Sequence, residues 1–170
     1  DDDGMGDLSY QWQRSSDQVV WSDIDGKTSS SYLPGDDDVG SYLRVHAVYT
    51  DGYGTEETVT SDATSLIQNV NDAPEGSVLV SGNPIEDQIL TVDASSLTDA
   101  DGMGEIFIQW QSQDVLGAWS DIIGETSSTI LLGDEEVGKT LRAQASYTDG
   151  HGKLEVIASS STQTIENVND

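Results

Sequence analysis

The sequence contains no cysteine and only 6 basic residues among 170. Without cysteine there are no disulfides, and both thiol catalysis and cysteine-based zinc sites are excluded. The 32 acidic residues give a formal net charge of −26, so nucleic acids and anionic membrane surfaces would be repelled. No signal peptide is recognisable and no apolar run is long enough for a transmembrane helix, as expected for a segment cut from a longer secreted chain.

Two explanations of the acidity compete. The first is solubility in a salty or extracellular setting. The second is cation binding, because hard cations such as calcium require oxygen ligands. The positions of the acidic residues in the fold decide between the two.

Signatures of catalysis are also missing. Of the two histidines, His46 is replaced by Gln144 and His151 by Tyr53 when the two halves of the chain are aligned. The chain has no His-Glu-x-x-His, Gly-x-Ser-x-Gly or phosphate-loop pattern. We therefore expect no enzymatic activity, and a repeated unit is better explained by length than by chemistry.

An ungapped internal repeat dominates the sequence. Trp12 and Trp110 are 98 positions apart, and about half of the positions aligned at this offset are identical. The sequence predicts two domains, a complete unit over 73–170 and a first unit over 1–72 that lacks the counterpart of residues 73–98. Pro74 at the boundary suits a stiff, extended linker. The first unit should therefore lack its first two strands, which residues upstream of it or a strand from a neighbouring molecule could supply.

Alternating apolar residues predict β-strands. The segments 43–49 and 141–147 place Leu, Val or Ala, Ala and Tyr on one face, a period-two pattern. About seven short strands in about 100 residues, with a tryptophan on the third, are typical of an immunoglobulin-like sandwich, whose core should hold the tryptophans. Further strands are predicted over 77–81, 87–93, 130–132, 154–158 and 162–168.

Several motifs resemble those of one family. Leu97–Gly102 resembles the Asp-Ala-Asp turn of cadherin repeats, Tyr147–Gly150 their Asp-Gly turn, and Asn69–Pro74 their linker. With the Trp-Gln, Trp-Ser-Asp-Ile and Asp-Val-Gly elements, the chain is similar to the immunoglobulin/cadherin-like repeats of giant bacterial surface adhesins exported by type I secretion. The resemblance implies tandem all-β sandwiches joined end to end, outside the cell or on its surface, with neighbouring repeats as partners.

The resemblance also implies calcium between the units. Ala73 stands where the family has asparagine, so it can offer only its carbonyl, and the segment 36–38 matches the family's Asp-Arg-Glu motif loosely. The predicted ligands of the junction are Asp36, Asp37, Asp38, Asn69, Asn71, Asp72, Ala73, Asp99, Asp101 and Asp149. Two terminal half-sites are predicted as well, comprising Asp1, Asp3 and Asp51 in the first unit and Glu86, Asp134, Glu136 and Asp170 in the second. The alternative is that these residues only form turns, which Asp and Asn favour.

These observations favour a calcium-stiffened spacer of an adhesin, without membrane insertion. One alternative is a module that binds a polysaccharide or a cell-surface partner, for which Tyr32, Tyr42 and Tyr53 are candidates, although none of the three recurs in the second unit. The other is a repeat region appended to a secreted enzyme.

Overall fold

The computed structural model describes residue 2, residues 4–114 and residues 116–169. The chain divides into two compact units, Asp1–Val70 (unit 1) and Asn71–Asp170 (unit 2). The described part is all-β, as predicted, apart from a short 3-10 helix over Asp36–Asp38. It includes no helix of the length and apolarity that crossing a membrane would require.

Unit 1 forms a single four-stranded antiparallel sheet in the order β2-β1-β3-β4. Its strands are β1 (Ser9–Ser15), β2 (Ser22–Asp23), β3 (Tyr42–Thr50) and β4 (Glu56–Thr60). In β3 every second residue from Leu43 to Tyr49 lies on one face, as the alternation of the sequence predicts.

The described residues of unit 2 form seven strands in two sheets. One sheet has the order β11-β10-β7-β8 and the other the order β5-β6-β9, and all neighbours are antiparallel. The third of these strands contains Trp110, in agreement with the sequence prediction. The strands are β5 (Leu79–Ser81), β6 (Ile89–Asp93), β7 (Phe107–Gln113), β8 (Trp119–Asp121), β9 (Thr129–Leu131), β10 (Thr140–Thr148) and β11 (Leu154–Ala158).

The core of unit 2 lies between its two sheets. One sheet contributes Trp110 on β7 and Leu141 on β10, which are completely buried. The other sheet contributes Leu90 and Ile130, which are also buried. Along β10 each inward residue is buried and each residue between them is half-buried, which is the pattern of a strand that covers a core with one face. Unit 2 is therefore a β-sandwich.

The two units share strand positions and register. The bounds of β1, β3 and β4 become those of β7, β10 and β11 when 98 is added, and Trp12↔Val45 corresponds to Trp110↔Ala143. The structural repeat thus follows the sequence repeat residue by residue.

The prediction that the tryptophans fill the core is correct for Trp110 and wrong for the other three, since Trp12 is also only half-buried. Trp21 and Trp119 are half-buried, and an arginine guanidinium stacks on each ring, at 4.2 Å for Arg44 and 4.3 Å for Arg142. The indoles face a cation instead of the core because the arginines occupy the outward positions of β3 and β10.

The predicted strand over 162–168 is also not formed. Within the described residues, this segment has only an isolated bridge between Ile85 and Glu166. Hydroxyl groups replace strand carbonyls along this edge: Thr162 Oγ1 accepts from the N–H of Leu141, and Ser159 Oγ accepts from that of Ala143. Because these side chains satisfy the donors, the segment stays irregular.

Candidate metal centre

Three aspartates meet at one end of unit 2. Asp99 and Asp101 lie in the loop that leads to β7, and Asp149 follows the last residue of β10. The N–H of Gly150 donates to the carbonyl of Asp101 at 3.0 Å, which joins the two loops. A Cβ on Gly150 would lie 2.5 Å from that carbonyl oxygen, so the Asp-Gly turn requires glycine because the loops approach so closely.

The segment that starts unit 2 lies against this cluster. The N–H of Asp72 donates to Asp101 Oδ2 at 2.7 Å, and carboxylate oxygens of these two residues lie within 4.8 Å of each other. Asn71 Nδ2 donates to Glu155 Oε1 at 3.0 Å. A cavity beside these contacts is lined by Asp72, Ala73, Glu75, Thr98, Asp99 and Ala100. The structure thus brings five of the predicted junction ligands, Asp72, Ala73, Asp99, Asp101 and Asp149, into one region of unit 2.

Backbone and side-chain donors hold the carboxylates in place. Asp149 Oδ1 accepts from the N–H groups of His151 and Lys153, both at 2.8 Å. Asp99 Oδ1 accepts from the N–H of Asp101 at 2.9 Å, and its Oδ2 accepts from the hydroxyl of Tyr147. One oxygen of Asp99 and one of Asp149 are therefore fixed by N–H groups of their own turns.

Two carboxylate oxygens of the cluster are left without a donor. Asp101 Oδ1 and Asp149 Oδ2 are buried and have no hydrogen-bond partner among the described residues. His151 Nε2 lies 3.9 Å from Asp101 Oδ1, whereas the ammonium of Lys153 pairs with Glu155 at 3.3 Å. A buried carboxylate oxygen without a donor is unfavourable unless a cation or a proton neutralises it.

The electrostatics favour the ionised form of Asp149. Burial raises the pKa of Asp149, but the N–H groups of Lys153 and His151 outweigh it, and the pKa lies below its ordinary value. Burial and the hydrogen bond to Asp99 raise the pKa of Tyr147 far above its ordinary value, so its hydroxyl keeps its proton and remains a donor. The turn thus keeps Asp149 in the charged form that a cation would need.

Within unit 1, the predicted ligands differ in burial. Asp36 and Asp37 are exposed, whereas Asp38 is buried. Asp38 Oδ2 accepts from the Tyr32 hydroxyl at 2.6 Å, and Asp38 Oδ1 lies 3.7 Å from Arg14 Nη1. Asp38 Oδ2 is therefore engaged within unit 1, whereas Asp38 Oδ1 has only this arginine nearby and no hydrogen-bond partner among the described residues. Asn69 follows the segment in which the N–H of Ile67 donates to Ser41 O at 2.9 Å.

The half-site predicted at the start of the chain is represented by Asp51 alone, because Asp1 and Asp3 lie outside the described residues. Asp51 Oδ1 accepts from the N–H groups of Tyr53 and Thr55, at 2.8 and 2.7 Å. The N–H of Thr55 is the main cause of a lowered pKa for Asp51. This is the same turn that Asp149 makes in unit 2.

The other predicted half-site lies at the opposite end of β10 from Asp149. Glu86 is buried and its Oε2 accepts from the N–H of Val168 at 2.9 Å, while Glu136 Oε2 accepts from that of Gly133 at 3.0 Å. Asp134 is exposed in the same loop as Glu136, and Asp170 lies outside the described residues. These contacts fix the loop before β10.

Sequence reasoning missed two members of the cluster. They are the Tyr147 hydroxyl, which bonds Asp99, and Glu155, which bonds Asn71. Both residues recur at the 98-residue offset, as Tyr49 and Glu57. Recurrence at a polar position close to the Asp-Gly turn was the signal that could have identified Glu155.

Comparisons with known proteins assign no established family. A family model described as a domain of unknown function (DUF8696) matches residues 2–69, less than half of the chain. No curated protein matches the sequence. Among solved structures, the chain is similar to one described as a tetra-tandem repeat in the extending region of a large adhesion protein, at 14% identity and a TM-score of 0.29. That alignment covers 95% of this chain and 43% of the other, so this chain spans less than half of its length.

Proposed function

We propose that the chain is a non-enzymatic, calcium-binding structural repeat of an extracellular bacterial adhesin, an extender segment. The observation that carries the proposal is the pair of buried carboxylate oxygens without a donor, Asp101 Oδ1 and Asp149 Oδ2. The remaining carboxylate oxygens of Asp99, Asp101 and Asp149 already accept hydrogen bonds. A cation between the two oxygens without a donor would remove the cost of burying unpartnered negative charge.

Calcium suits these donors better than other common metal ions. Every candidate ligand in the cluster is an oxygen, from the carboxylates of Asp72, Asp99, Asp101 and Asp149 and the carbonyl of Ala73. Oxygen-only sites with several carboxylates are typical of calcium, which accepts six to eight ligands in flexible geometry. Zinc would favour cysteine and histidine, and the chain has no cysteine.

The proposed role of the ion is stability. Extracellular modules bind calcium with dissociation constants of about 10⁻⁴ to 10⁻³ M. An ion at about ten times its dissociation constant would stabilise the folded state by about 1.4 kcal/mol. This is a substantial fraction of the margin of a small domain, so unit 2 would be markedly less stable at low calcium.

The adhesin assignment rests on the family resemblance of the motifs and on the repeated fold. Two copies of one sheet with the same register, at an offset of 98 residues, favour a protein that gains length by repetition. A net charge of −26 suits a chain whose partners are its own neighbouring repeats rather than nucleic acids or anionic membranes.

The test compares thermal unfolding in calcium, in magnesium and with a chelator. Wild type should melt at a higher temperature in calcium than in the other two conditions. The double variant Asp101→Asn/Asp149→Asn should lose this difference. Asp114→Asn is the matched control, because Asp114 Oδ1 accepts from the N–H groups of Leu116 and Ala118 as Asp149 does from those of its own turn.

The control variant removes one charge from an equivalent turn at the other end of β7, so it should keep the calcium response. If wild type melts identically in all three conditions, the calcium proposal is wrong. If all variants respond to calcium equally, the ion binds elsewhere on the acidic surface.

A further inference from the structure

Unit 1 exposes a sheet face that unit 2 buries. In unit 2, four inward side chains of β7 and β10 are at most 1% exposed: Trp110, Ala143, Ala145 and Tyr147. Their counterparts Trp12, Val45, Ala47 and Tyr49 are all partly exposed, and of this face only Leu43 is fully buried.

The difference arises from one segment. In unit 2, residues 73–98 contribute β5 and β6. Leu90 and Val92 of β6, together with Val78 just before β5, pack against the inward face of the other sheet. The ungapped repeat contains no counterpart of this segment in unit 1. Among the described residues, unit 1 accordingly has no second sheet.

The sheet β5-β6-β9 covers the other sheet of unit 2, and its third strand also depends on residues 73–98. In unit 2, β9 pairs with β6, with Leu90 opposite Ile130. The equivalent segment of unit 1, residues 31–33, is not a strand, and its Tyr32 ring lies 5.6 Å from the Trp12 ring. Residues 31–33 have no strand like β6 beside them, so their backbone lacks the strand pairing that β9 makes in unit 2.

We propose that the open face of unit 1 is a docking surface for a pair of β-strands with the apolar pattern of residues 73–98. The occupant carries apolar residues at the positions of Leu90 and Val92, the residues with which unit 2 covers its own sheet. A second copy of this chain is a poor donor, because its own residues 73–98 already cover unit 2 and their removal would open that core. The inference does not depend on calcium.

The docking strand must differ from β6 at one point. In unit 2 the N–H of Leu132 donates to Gln88 O at 3.0 Å. The equivalent residue in unit 1 is Pro34, which has no N–H. The pairing is therefore expected to run alongside residues 31–33 and to lose this hydrogen bond at Pro34.

The experiment adds a copy of residues 73–98 directly ahead of residue 1 in the full chain. Hydrogen–deuterium exchange is then measured separately for the β3 and β10 peptides. The extension should slow exchange at β3 by at least about tenfold, because the inward face becomes covered. Exchange at β10 should not change, which provides an internal control that unit 2 is folded.

A matched extension carries aspartate in place of the copied Leu90 and Val92, and it should leave β3 exchange unchanged. The proposal is overturned if the native extension does not slow exchange at β3, or if both extensions slow it equally. It is also overturned if the unextended chain is a dimer by light scattering with β3 already protected, because the occupant is then a second copy.

Discussion

Replacing Asp101 by asparagine tests whether the acidic cluster is built for a cation. If Asp101 only forms a turn, replacing it should destabilise the protein. If Asp101 is a metal ligand held next to other carboxylates, replacing it should instead stabilise the calcium-free protein, because the repulsion between like charges is removed. The sign of the effect therefore separates the two explanations.

The magnitude follows from the geometry. Two charges 4.8 Å apart, the upper limit for the closest carboxylate oxygens of Asp72 and Asp101, repel by about 0.9 kcal/mol in water and about 3.5 kcal/mol at an effective dielectric constant of about 20. Asp72 is exposed, so the lower part of this range applies. A weaker hydrogen bond from the N–H of Asp72 would offset about 1 kcal/mol of this gain. With this offset, we expect Asp101→Asn to make calcium-free unit 2 more stable by between about 0 and 1 kcal/mol.

The assay is urea unfolding at low salt with a chelator, followed by hydrogen exchange of the β10 peptides so that unit 2 is measured by itself. In calcium the order should reverse, because wild type gains the ion and the variant does not. Asp114→Asn, in a turn of the same type, should show no such reversal. The reasoning is refuted if Asp101→Asn destabilises the calcium-free protein by more than about 1 kcal/mol and calcium stabilises neither protein.

Three further predictions concern the fold. Gly150→Ala should separate the two loops of the cluster and lower both the melting temperature and the calcium response. Gly133→Ala is the control and should change neither, because its Cβ would meet nothing closer than 3.7 Å. Trp110→Ala should destabilise unit 2 by about 3–5 kcal/mol in urea unfolding, and the half-buried Trp12→Ala should cost unit 1 clearly less; equal losses would contradict the difference in burial. Burial and the hydrogen bond to Asp38 raise the pKa of Tyr32 to about 12, so its contribution to stability is complete below pH about 10 and is lost as the pH rises towards 12. Alkaline unfolding of unit 1 should therefore be weaker in Tyr32→Phe than in wild type.

The repeat predicted much of the fold. The alternation of β3 and β10, the tryptophan on the third strand of unit 2 and the missing strands of unit 1 all follow from the period-two pattern and the offset of 98. The segment 162–168 was predicted incorrectly because alternation does not reveal that Thr162 and Ser159 hydroxyls take over the strand's acceptor role. Trp21 and Trp119 were assigned to the core because hydrophobicity alone does not register an arginine stacked on an indole.

The residues of the candidate site could be predicted from the sequence, but their hydrogen bonds could not. The motifs pointed to Asp99, Asp101 and Asp149, which the fold brings together at one end of unit 2. Sequence spacing did not distinguish the oxygens used by turns from those left free, because this depends on backbone N–H directions. Asp38 illustrates the limit: Tyr32 and Gly35 donate to its Oδ2, whereas its Oδ1 has no hydrogen-bond donor, and the sequence does not distinguish these two oxygens.

The most direct test of the calcium proposal is a crystal of the full chain grown with about 10 mM calcium, roughly ten times the weaker dissociation constant expected for extracellular modules. Anomalous differences collected at long wavelength would locate the ion. The proposal predicts a peak bound by Asp101 Oδ1 and Asp149 Oδ2 at about 2.3–2.6 Å. No peak at these oxygens, or peaks only at exposed carboxylates elsewhere on unit 2, would contradict it.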